Sequence, residues 1–400
     1  MDVPASTNIG PGTRLLLRLW NGRGEPGSSA ESEQDWQSFL AACEHHRVSP
    51  IVFHRFQSCD DRVIPTDVLE QLRGRFYQVS AYNHRLASKL VQLISQLGSE
   101  QIPALVLKGP AVAMAAYGDL SLRQYEDIDI LIPVEQVVKA VETLRALGFR
   151  PIEGHSQRHK SVRRYHEITL EAPDNSYNVD LHWHLAPPYA RVFGPDVSQL
   201  WARTVKLLLP QGEVSALCRE DLFLTLCQHG TRHRWWQIKW LFDIAELLRH
   251  GEQIDWCCVE RSLGTLPMAR QSACLAVILA RELVGSQVPS QADRILAPAR
   301  RTWVVAGTIR GEFLSSGQTN RSAHDTLLGL EQRPLVRARY LAVEAVQYPV
   351  RTILFTITAK DEQFVRLPEG LRMLYYLIRP LRLVFQHGRV AARRIWSMAR

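Results

Sequence analysis

The chain has 400 residues, 46% of them apolar and 22% charged, and carries a formal net charge of +8. This composition favours a globular protein of two or three compact units. No apolar run reaches the ~18 residues of a membrane-spanning helix, and the first residues lack the pattern of a signal peptide, so we expect a cytoplasmic protein without integral membrane association. Seven scattered cysteines with no Cys-x-x-Cys pair argue against a disulfide framework or a zinc site, whereas the basic charge favours an anionic partner.

Changes in sequence pattern divide the chain into five regions. We expect a flexible segment and linker at 1–34, an N-terminal helical region at 35–100, a core that alternates strands and helices at 101–190, a larger helical domain at 191–345 and basic amphipathic helices at 346–400. Leucines at four- and three-residue spacing give the second region one buried helix face. In the fourth region, segments 196–208 and 219–250 have helical patterns.

Four strands are predicted in the core region, over 104–107, 127–132, 165–170 and 177–185. Asp127 and Asp129 share one face of the second strand because side chains alternate between the two faces of a strand. Asp180 lies on another alternating strand, and two strands of one sheet could bring the three carboxylates together. Such a cluster suits a hard cation such as Mg²⁺; the alternative is a pair of solvated carboxylates on an edge strand.

A Lys108–Gly109 turn precedes the acidic strand. A glycine turn offers backbone N–H groups to a phosphate, and Lys108 can reach the same phosphate as a point charge; a surface lysine at a strand end is the alternative. Arg123 lies on the loop before Asp127, where it could pair with that carboxylate or bind a triphosphate through two hydrogen bonds. Together these residues indicate a metal-dependent phosphoryl or nucleotidyl transfer site.

With these motifs the chain resembles the nucleotidyltransferase superfamily of the DNA-polymerase-β type and, within it, the bacterial "uncharacterised nucleotidyltransferase" family. The motifs that carry the resemblance are Lys108–Gly109, Tyr117, Arg123, Asp127-Ile128-Asp129 and Val179-Asp180-Leu181-His182-Trp183. Weaker similarity, which includes a run from Leu374 to Pro380, extends the resemblance over residues 35–385.

The resemblance implies an α+β fold, in which a small mixed-sheet nucleotidyltransferase core is flanked by N-terminal and larger C-terminal α-helical regions. It implies that Asp127 and Asp129 bind Mg²⁺ or Mn²⁺ and that Asp180 is a metal ligand or the base for the acceptor. The sequence departs from the superfamily in its Lys-Gly turn, where Gly-Ser is usual, and in Asp180, where glutamate is usual. The aspartate side chain is one methylene shorter than that of glutamate. A role of Asp180 as metal ligand is unaffected, whereas the geometry that it would need as the base for the acceptor is put in question.

Histidines and a mixed aromatic stripe are candidates for the surroundings of the site. His182 and His184 share a strand face with Asp180, which indicates a zinc site or, since a fourth ligand is not evident, a histidine that hydrogen-bonds the carboxylates. His166 on the preceding strand joins this face or packs in the core. A helical stripe is interpreted either as the wall of a nucleotide or acceptor pocket or as core, and it contains His229, His233, Trp236, Trp240 and Asp243.

The leading hypothesis is a Mg²⁺-dependent enzyme that transfers a nucleoside monophosphate from an NTP to a hydroxyl or other acceptor and releases pyrophosphate. The acceptor is a small molecule, a peptide or RNA; the sequence does not identify it. Two alternatives stay open: a catalytically degenerate nucleotide-binding or interaction protein, and a toxin-like, RNA-directed nucleotidyltransferase. The basic C-terminal helices could contact RNA or anionic lipid, or they could cap the fold.

Overall fold

The computed structural model describes residues 9–22, 31–58, 64–155, 158–163, 165–187, 195–264 and 267–314, together with positions 330, 364, 365, 374, 375 and 378. The helices are α1 (Ile9–Trp20), α2 (Glu33–His45), α3 (Ser49–Phe56), α4 (Thr66–Ser99), α5 (Pro110–Val112, continued by a π-helical turn Ala113–Tyr117), α6 (Val137–Ala146), α7 (Val197–Trp201), α8 (Arg219–Arg232), α9 (Lys239–Arg249), α10 (Trp256–Gly264), α11 (Pro267–Val284), α12 (Ser290–Ile295) and α13 (Arg300–Leu314). The strands are β1 (Leu105–Val106), β2 (Asp127–Leu131), β3 (Arg150–Pro151), β4 (Glu167–Glu171), β5 (Asn178–His182), β6 (Val205–Leu209) and β7 (Gly212–Ala216).

Within the described ranges, seven strands form one mixed sheet in the order β3-β4-β5-β2-β1-β7-β6. Strands β2 and β5 are parallel, as are β1 and β7, while the other neighbours are antiparallel. The parallel register sets Asp129 opposite Asp180 and Asp127 opposite Asn178. The sheet and its flanking helices confirm the predicted α+β fold.

The opposite face of β2 anchors the acidic strand in the core. Ile128 and Ile130 are 1% and 0% exposed, and they share a core with Val141 and Leu144 of α6. The leucine stripe of α4 belongs to the same core: Leu86, Leu90, Leu93 and Leu97. Burial of one such aliphatic side chain stabilises the fold by about 1.5–3 kcal/mol. This packing fixes β2 and therefore the positions of the two aspartates that it carries.

Residues 9–20 form helix α1, so the prediction of a flexible segment at 1–34 is wrong for this part. Leu16 is fully buried, and Leu15, Leu19 and Trp20 are nearly so. At the end of the helix, the Asn21 side-chain amide donates to Leu283 O at 2.8 Å. A helix whose apolar side chains are buried in this way gains enough to offset the entropy of ordering it. The other predicted region boundaries stay predictions.

The helix predicted over 196–208 is wrong in its second half. Residues 205–209 form β6, which pairs with β7 through a two-residue turn at 210–211. Gly212, with φ +148°, begins β7, and a Cβ at this position would lie 2.9 Å from the Val91 side chain of α4. A short apolar run is compatible with a buried helical turn as well as with a strand, and for this reason the pattern of residues 205–208 was wrongly interpreted as helical. Because β7 pairs with β1, this hairpin extends the sheet.

Helices are confirmed in the segment 219–250, as α8 and α9 with a break between them. Arg234 and Trp235 in the break have φ values of 55° and 56°, and the Trp235 ring is fully buried. A bulky residue with positive φ is strained, so tertiary packing must hold this turn. Gly230 makes the packing possible, since a Cβ there would lie 2.5 Å from the Trp235 ring. The turn sets where α9 begins.

Two compact units are distinguished, residues 1–330 and 331–400. All the helices and strands given above belong to the first unit. The predicted basic helices at 346–400, with the run from Leu374 to Pro380, lie outside the described residues apart from isolated positions. None of the described helices is both long enough and apolar enough to cross a membrane.

Candidate active site

Three carboxylates meet on one face of the sheet, on the neighbouring strands β2 and β5. Asp129 is 3% exposed, whereas Asp127 and Asp180 are partly exposed. Asp129 and Asp180 are direct partners in the parallel register. The Oδ1 atom of Asp180 is buried and has no hydrogen-bond partner among the described residues. The structure thus brings together the three acids that the sequence indicated.

Lys108 supplies a positive charge within this acidic cluster. Its Nζ lies 2.7 Å from Asp129 Oδ1. Burial opposes the charge, but Asp129 and Asp127 outweigh burial and raise the pKa of Lys108, so the side chain is an ammonium. Gly109 follows with φ +56° and ψ −117°, a conformation that glycine alone adopts readily. The turn therefore needs its glycine, and it directs Lys108 to the carboxylates.

His182 connects the cluster to a fourth carboxylate, Glu167. His182 Nε2 lies 3.0 Å from Asp129 Oδ1, and His182 Nδ1 lies 3.3 Å from Glu167 Oε2. Glu167 is the direct antiparallel partner of His182, and its Oε2 is also 3.1 Å from His166 Nε2. Sequence reasoning missed Glu167, although its position in an alternating strand next to His166 was an available signal. His184 donates its backbone N–H to His166 O at 3.2 Å and is not part of the cluster with Asp129.

Burial and mutual repulsion shift the pKa values of the three acids in different directions. Burial favours the neutral form of Asp129, but Lys108 and His182 outweigh it and lower the pKa of this carboxyl. Burial and the charge of Asp129 raise the pKa of Asp127, and the same causes raise the pKa of Asp180 to about 6. Asp129 is therefore firmly ionised, whereas Asp127 and Asp180 have too little positive charge around them to favour ionisation. A bound cation would supply that charge.

The cluster fits a divalent cation. Asp129, Asp180 and His182 each offer one ligand atom, and these atoms lie within 4.8 Å of one another. The unpartnered Oδ1 of Asp180 is an additional sign of a ligand atom without another role. Carboxylate oxygens suit Mg²⁺ and Mn²⁺, and an imidazole nitrogen suits transition metals. Glu167 Oε2 lies 3.3 Å from the far nitrogen, Nδ1, of His182, although the two atoms do not have the geometry of a hydrogen bond.

Imidazole and indole rings from the C-terminal end of α8 and from α9 form a cluster. The ring centroids of His229, His233 and Trp240 are 4.6 to 5.6 Å apart. Arg232 links these rings to the sheet, with Nη1 3.1 Å from His166 Nε2 and Nη2 3.1 Å from His233 Nε2. Burial and then the charges of Arg232 and Lys108 lower the pKa of His233 to about 3, so its ring is neutral. The charge of Lys108 also contributes to lowering the pKa of His229 and His233, and a role of the predicted stripe as a pocket wall stays a prediction.

Arg123 pairs with Asp243, which the sequence placed in the aromatic stripe, and not with Asp127. Arg123 Nε donates to Asp243 Oδ1 at 2.9 Å, and Nη2 donates to Oδ2 at 2.9 Å. Tyr117 Oη also donates to Asp243 Oδ1 at 2.9 Å. The Arg123 and Asp243 side chains are 5% and 0% exposed. This buried network fastens α9 to the loop before β2, and a role of Arg123 in binding the nucleotide stays a prediction.

Lys239 is a second residue that sequence reasoning missed. It is the first residue of α9, and its Nζ donates to Gln124 O at 3.4 Å. Burial and the charges of Arg123 and Arg47 lower the pKa of Lys239 to about 7, and its charge contributes to lowering the pKa of Asp127 against the stronger effect of burial. This lysine lies in the same segment as the mixed stripe but is not one of its residues, and a helical pattern does not reveal that it is buried.

Comparison with known proteins identifies the family of the chain. The family model described as "Uncharacterised nucleotidyltransferase" matches residues 32–285, more than half of the chain, and the chain belongs to this family. It is therefore a transferase, and its general chemistry is the transfer of a nucleoside monophosphate. The predicted resemblance is confirmed.

Two solved structures are similar to parts of the chain. The solution structure of the antibiotic-resistance factor ANT(2'')-Ia has 14% identity and a TM-score of 0.32, and the match covers 46% of this chain and 92% of that one. The crystal structure of an antigenic nucleotidyltransferase-like protein from Paracoccidioides brasiliensis has 14% identity and a TM-score of 0.29, with coverage of 54% and 97%. No curated protein matches the sequence.

Proposed function

We propose that this chain is a divalent-metal-dependent nucleotidyltransferase that moves a nucleoside monophosphate from an NTP to a hydroxyl or other acceptor and releases pyrophosphate. The observation that carries the proposal is the parallel β2–β5 pair, with Asp127, Asp129 and Asp180 on one face of the sheet. The family supplies the general chemistry, and clustered acids are what metal-dependent phosphoryl transfer requires.

Asp129, Asp180 and His182 are the residues proposed to hold the metal ion, with Asp127 beside them. When bound, a divalent ion would supply positive charge to the transferred phosphoryl group and to the leaving pyrophosphate. Mg²⁺ and Mn²⁺ are both compatible with the carboxylates, and the imidazole favours Mn²⁺ between the two. The negative charge of Glu167, 3.3 Å from His182 Nδ1, supports this assignment because a carboxylate near the far nitrogen makes an imidazole a stronger ligand.

Lys108 and the Gly109 turn are proposed to bind phosphate oxygens of the NTP. The ammonium neutralises Asp129 at 2.7 Å, and an ammonium relieved of that role can donate to a phosphate oxygen without leaving the site. The rings of His229, His233 and Trp240 are proposed as the wall of the pocket for the acceptor or the base.

In the transfer, the acceptor oxygen forms a bond to the α-phosphorus while the bond from that phosphorus to the α–β bridging oxygen breaks. Pyrophosphate leaves with the electron pair of the broken bond, and the acceptor gives up its proton. Asp180 is partly exposed beside Asp129, so we propose that it orients the acceptor and takes this proton. The other residues position charge and do no covalent chemistry.

Titration calorimetry with each of the four NTPs, in the presence of Mg²⁺ or Mn²⁺ and in EDTA, tests the proposal. We expect metal-dependent binding that Asp129→Asn weakens at least about tenfold, because this substitution removes a charged ligand. Asp174→Asn, in the exposed β4–β5 turn, is the matched control and should bind as the wild type does. Equal binding by the Asp129→Asn variant contradicts the proposal. Incubation with cell extract should transfer a label from the α-phosphate of the NTP and never from the γ-phosphate.

Pulsed electron paramagnetic resonance of bound Mn²⁺ tests the histidine ligand. We expect a nitrogen hyperfine coupling that is lost in His182→Gln and kept in His184→Gln, since only His182 lies within the ligand cluster. A coupling that survives in His182→Gln would show that a different nitrogen binds the ion.

A further inference from the structure

Arg232, the last residue of α8, is a cation without a carboxylate partner in the described part of the chain. No carboxylate oxygen there lies within 4.0 Å of its side-chain nitrogens. Instead, Nη1 lies 3.1 Å from His166 Nε2, and Nη2 lies 3.1 Å from His233 Nε2. The Nε atom is buried and has no hydrogen-bond partner among the described residues. A guanidinium has five N–H donors and is always charged, so two imidazoles leave most of its donors unused and supply no negative charge.

The contact of Arg232 with His166 conflicts with a second contact of the same imidazole. His166 Nε2 is also 3.1 Å from Glu167 Oε2. A ring nitrogen that accepts a hydrogen bond from Arg232 is unprotonated and cannot donate to Glu167, whereas one that donates to Glu167 cannot accept from Arg232. One of the two charged side chains therefore lacks this hydrogen bond in either tautomer. An anion bound by Arg232 would resolve the conflict, because His166 Nε2 could then donate to Glu167.

Measured contacts connect Arg232 to the candidate metal site. Beyond His166, Glu167 Oε2 lies 3.3 Å from His182 Nδ1, and His182 Nε2 lies 3.0 Å from Asp129 Oδ1. The strand order β4-β5-β2-β1 sets Glu167, on β4, to one side of the acidic strands β5 and β2. Lys108, which follows β1, contacts Asp129 from the other side. Arg232 therefore approaches the site from the β4 side, opposite Lys108.

We propose that Arg232 binds a phosphate or carboxylate group of the acceptor, an inference that rests on the proposed function. In-line transfer at the α-phosphorus requires the leaving pyrophosphate and the attacking acceptor to lie on opposite sides of that phosphorus. Lys108 and the Gly109 turn, proposed to bind phosphates of the donor, lie on the β1 side, so the acceptor is expected on the side of β5 and β4. Asp180, the proposed base, is on β5. The acceptor is thus a molecule that carries an anionic group in addition to its nucleophile.

The chemistry of Arg232 suits this role. A guanidinium presents its donors as a planar fork that matches two oxygens of a phosphate or a carboxylate. Arg232 is half-buried, a setting in which a charge-assisted hydrogen bond is stronger than in water. The charge of Glu167 opposes a second anion nearby, and the hydrogen bond that Glu167 gains from His166 offsets part of this cost.

Titration calorimetry with inorganic phosphate and with acetate tests the inference, in Mg²⁺ and a saturating non-hydrolysable NTP analogue that occupies the donor site. The anion that the wild type binds more tightly identifies the group on the acceptor. We expect Arg232→Gln to weaken its binding at least about tenfold, the loss of a charge-assisted hydrogen bond. Arg232→Lys, which keeps the charge without the planar fork, should retain part of the affinity. Arg73→Gln, which removes a half-exposed arginine paired with Glu70, is the control and should bind both anions as the wild type does.

Affinity for the NTP analogue separates this inference from the proposed function. We expect Arg232→Gln to bind the analogue as the wild type does, a result that also shows the variant to be folded. If the wild type binds phosphate or acetate only when the analogue is absent, Arg232 belongs to the donor site and the inference is overturned. Anion binding that is equally tight in Arg232→Gln overturns it as well, and the proposed function then stands. If the wild type binds no analogue in Mg²⁺ or Mn²⁺, the proposed function fails and the inference fails with it.

Discussion

The buried pair of Arg123 and Asp243 leads to a prediction about the free energy of unfolding. Two donors of Arg123 and the Tyr117 hydroxyl converge on the Asp243 carboxylate at 2.9 Å, and the two charged side chains are 5% and 0% exposed. In Asp243→Asn one acceptor oxygen becomes an NH₂ group that faces the guanidinium, and the guanidinium stays charged because it cannot release its proton. We expect the free energy of unfolding to fall by about 3–5 kcal/mol, the usual cost of breaking a buried pair from one side.

Removal of both charges should restore most of this loss. In the double variant Arg123→Met/Asp243→Leu no buried charge is left alone, and apolar side chains of similar volume replace the pair. Urea unfolding followed by tryptophan fluorescence measures the free energy of unfolding of the wild type, the single variant and the double variant.

Asp293→Asn, which breaks the half-exposed pair with Arg281, is the control and should lower the free energy of unfolding by less than about 1 kcal/mol. A loss below about 1 kcal/mol in Asp243→Asn, or a double variant no more stable than the single one, would refute the reasoning. If the stable double variant also keeps NTP affinity, Arg123 holds the fold and does not touch the triphosphate.

Two further predictions concern the metal-free cluster. Lys108→Met removes the ammonium 2.7 Å from Asp129, so Mn²⁺ affinity without nucleotide should rise roughly tenfold in a paramagnetic-resonance titration; unchanged affinity would contradict this. The pKa of Asp180 is about 6 in the folded protein against an ordinary 3.8, so the native state binds this proton more tightly and loses stability as pH rises through that interval. Asp180→Asn should therefore raise the free energy of unfolding in EDTA by about 1–3 kcal/mol at neutral pH and leave it unchanged below the ordinary pKa of aspartate. An equal gain at both pH values would point to a cause other than titration.

The central part of the site could be predicted because its signals are local. Alternation within one strand sets Asp127 and Asp129 on the same face, and the apolar residues between and after them indicate burial on the other. The partnership with Asp180 is less local, since alternation does not state which strands are neighbours or whether they are parallel. The resemblance to a family supplied that step. The place of Glu167 beside His166 on an alternating strand was a readable signal, but its pairing with His182 depends on the register between β4 and β5.

The parts that could not be predicted depend on contacts between residues far apart in the sequence. Arg123 and Asp243 come from a loop and from α9, and no periodicity connects them. Lys239 of α9 is buried, which also depends on how this helix packs in the fold. The β6–β7 hairpin differs, because a two-residue turn at Pro210–Gln211 between apolar and alternating segments was a readable signal.

The order of strands in the sheet has a consequence for synthesis of the chain on the ribosome. Strand β1 is an inner strand, but one of its two neighbours is β7, so Val106 gains its partner only after Ala216 has been made. Until then the nascent chain presents an apolar strand with one open edge, the kind of surface that recruits chaperones or pairs with another chain. A fragment that ends between β5 and β6 would carry the three aspartates together with this open edge. We therefore expect soluble expression of the region that carries the three aspartates to require the β6–β7 hairpin.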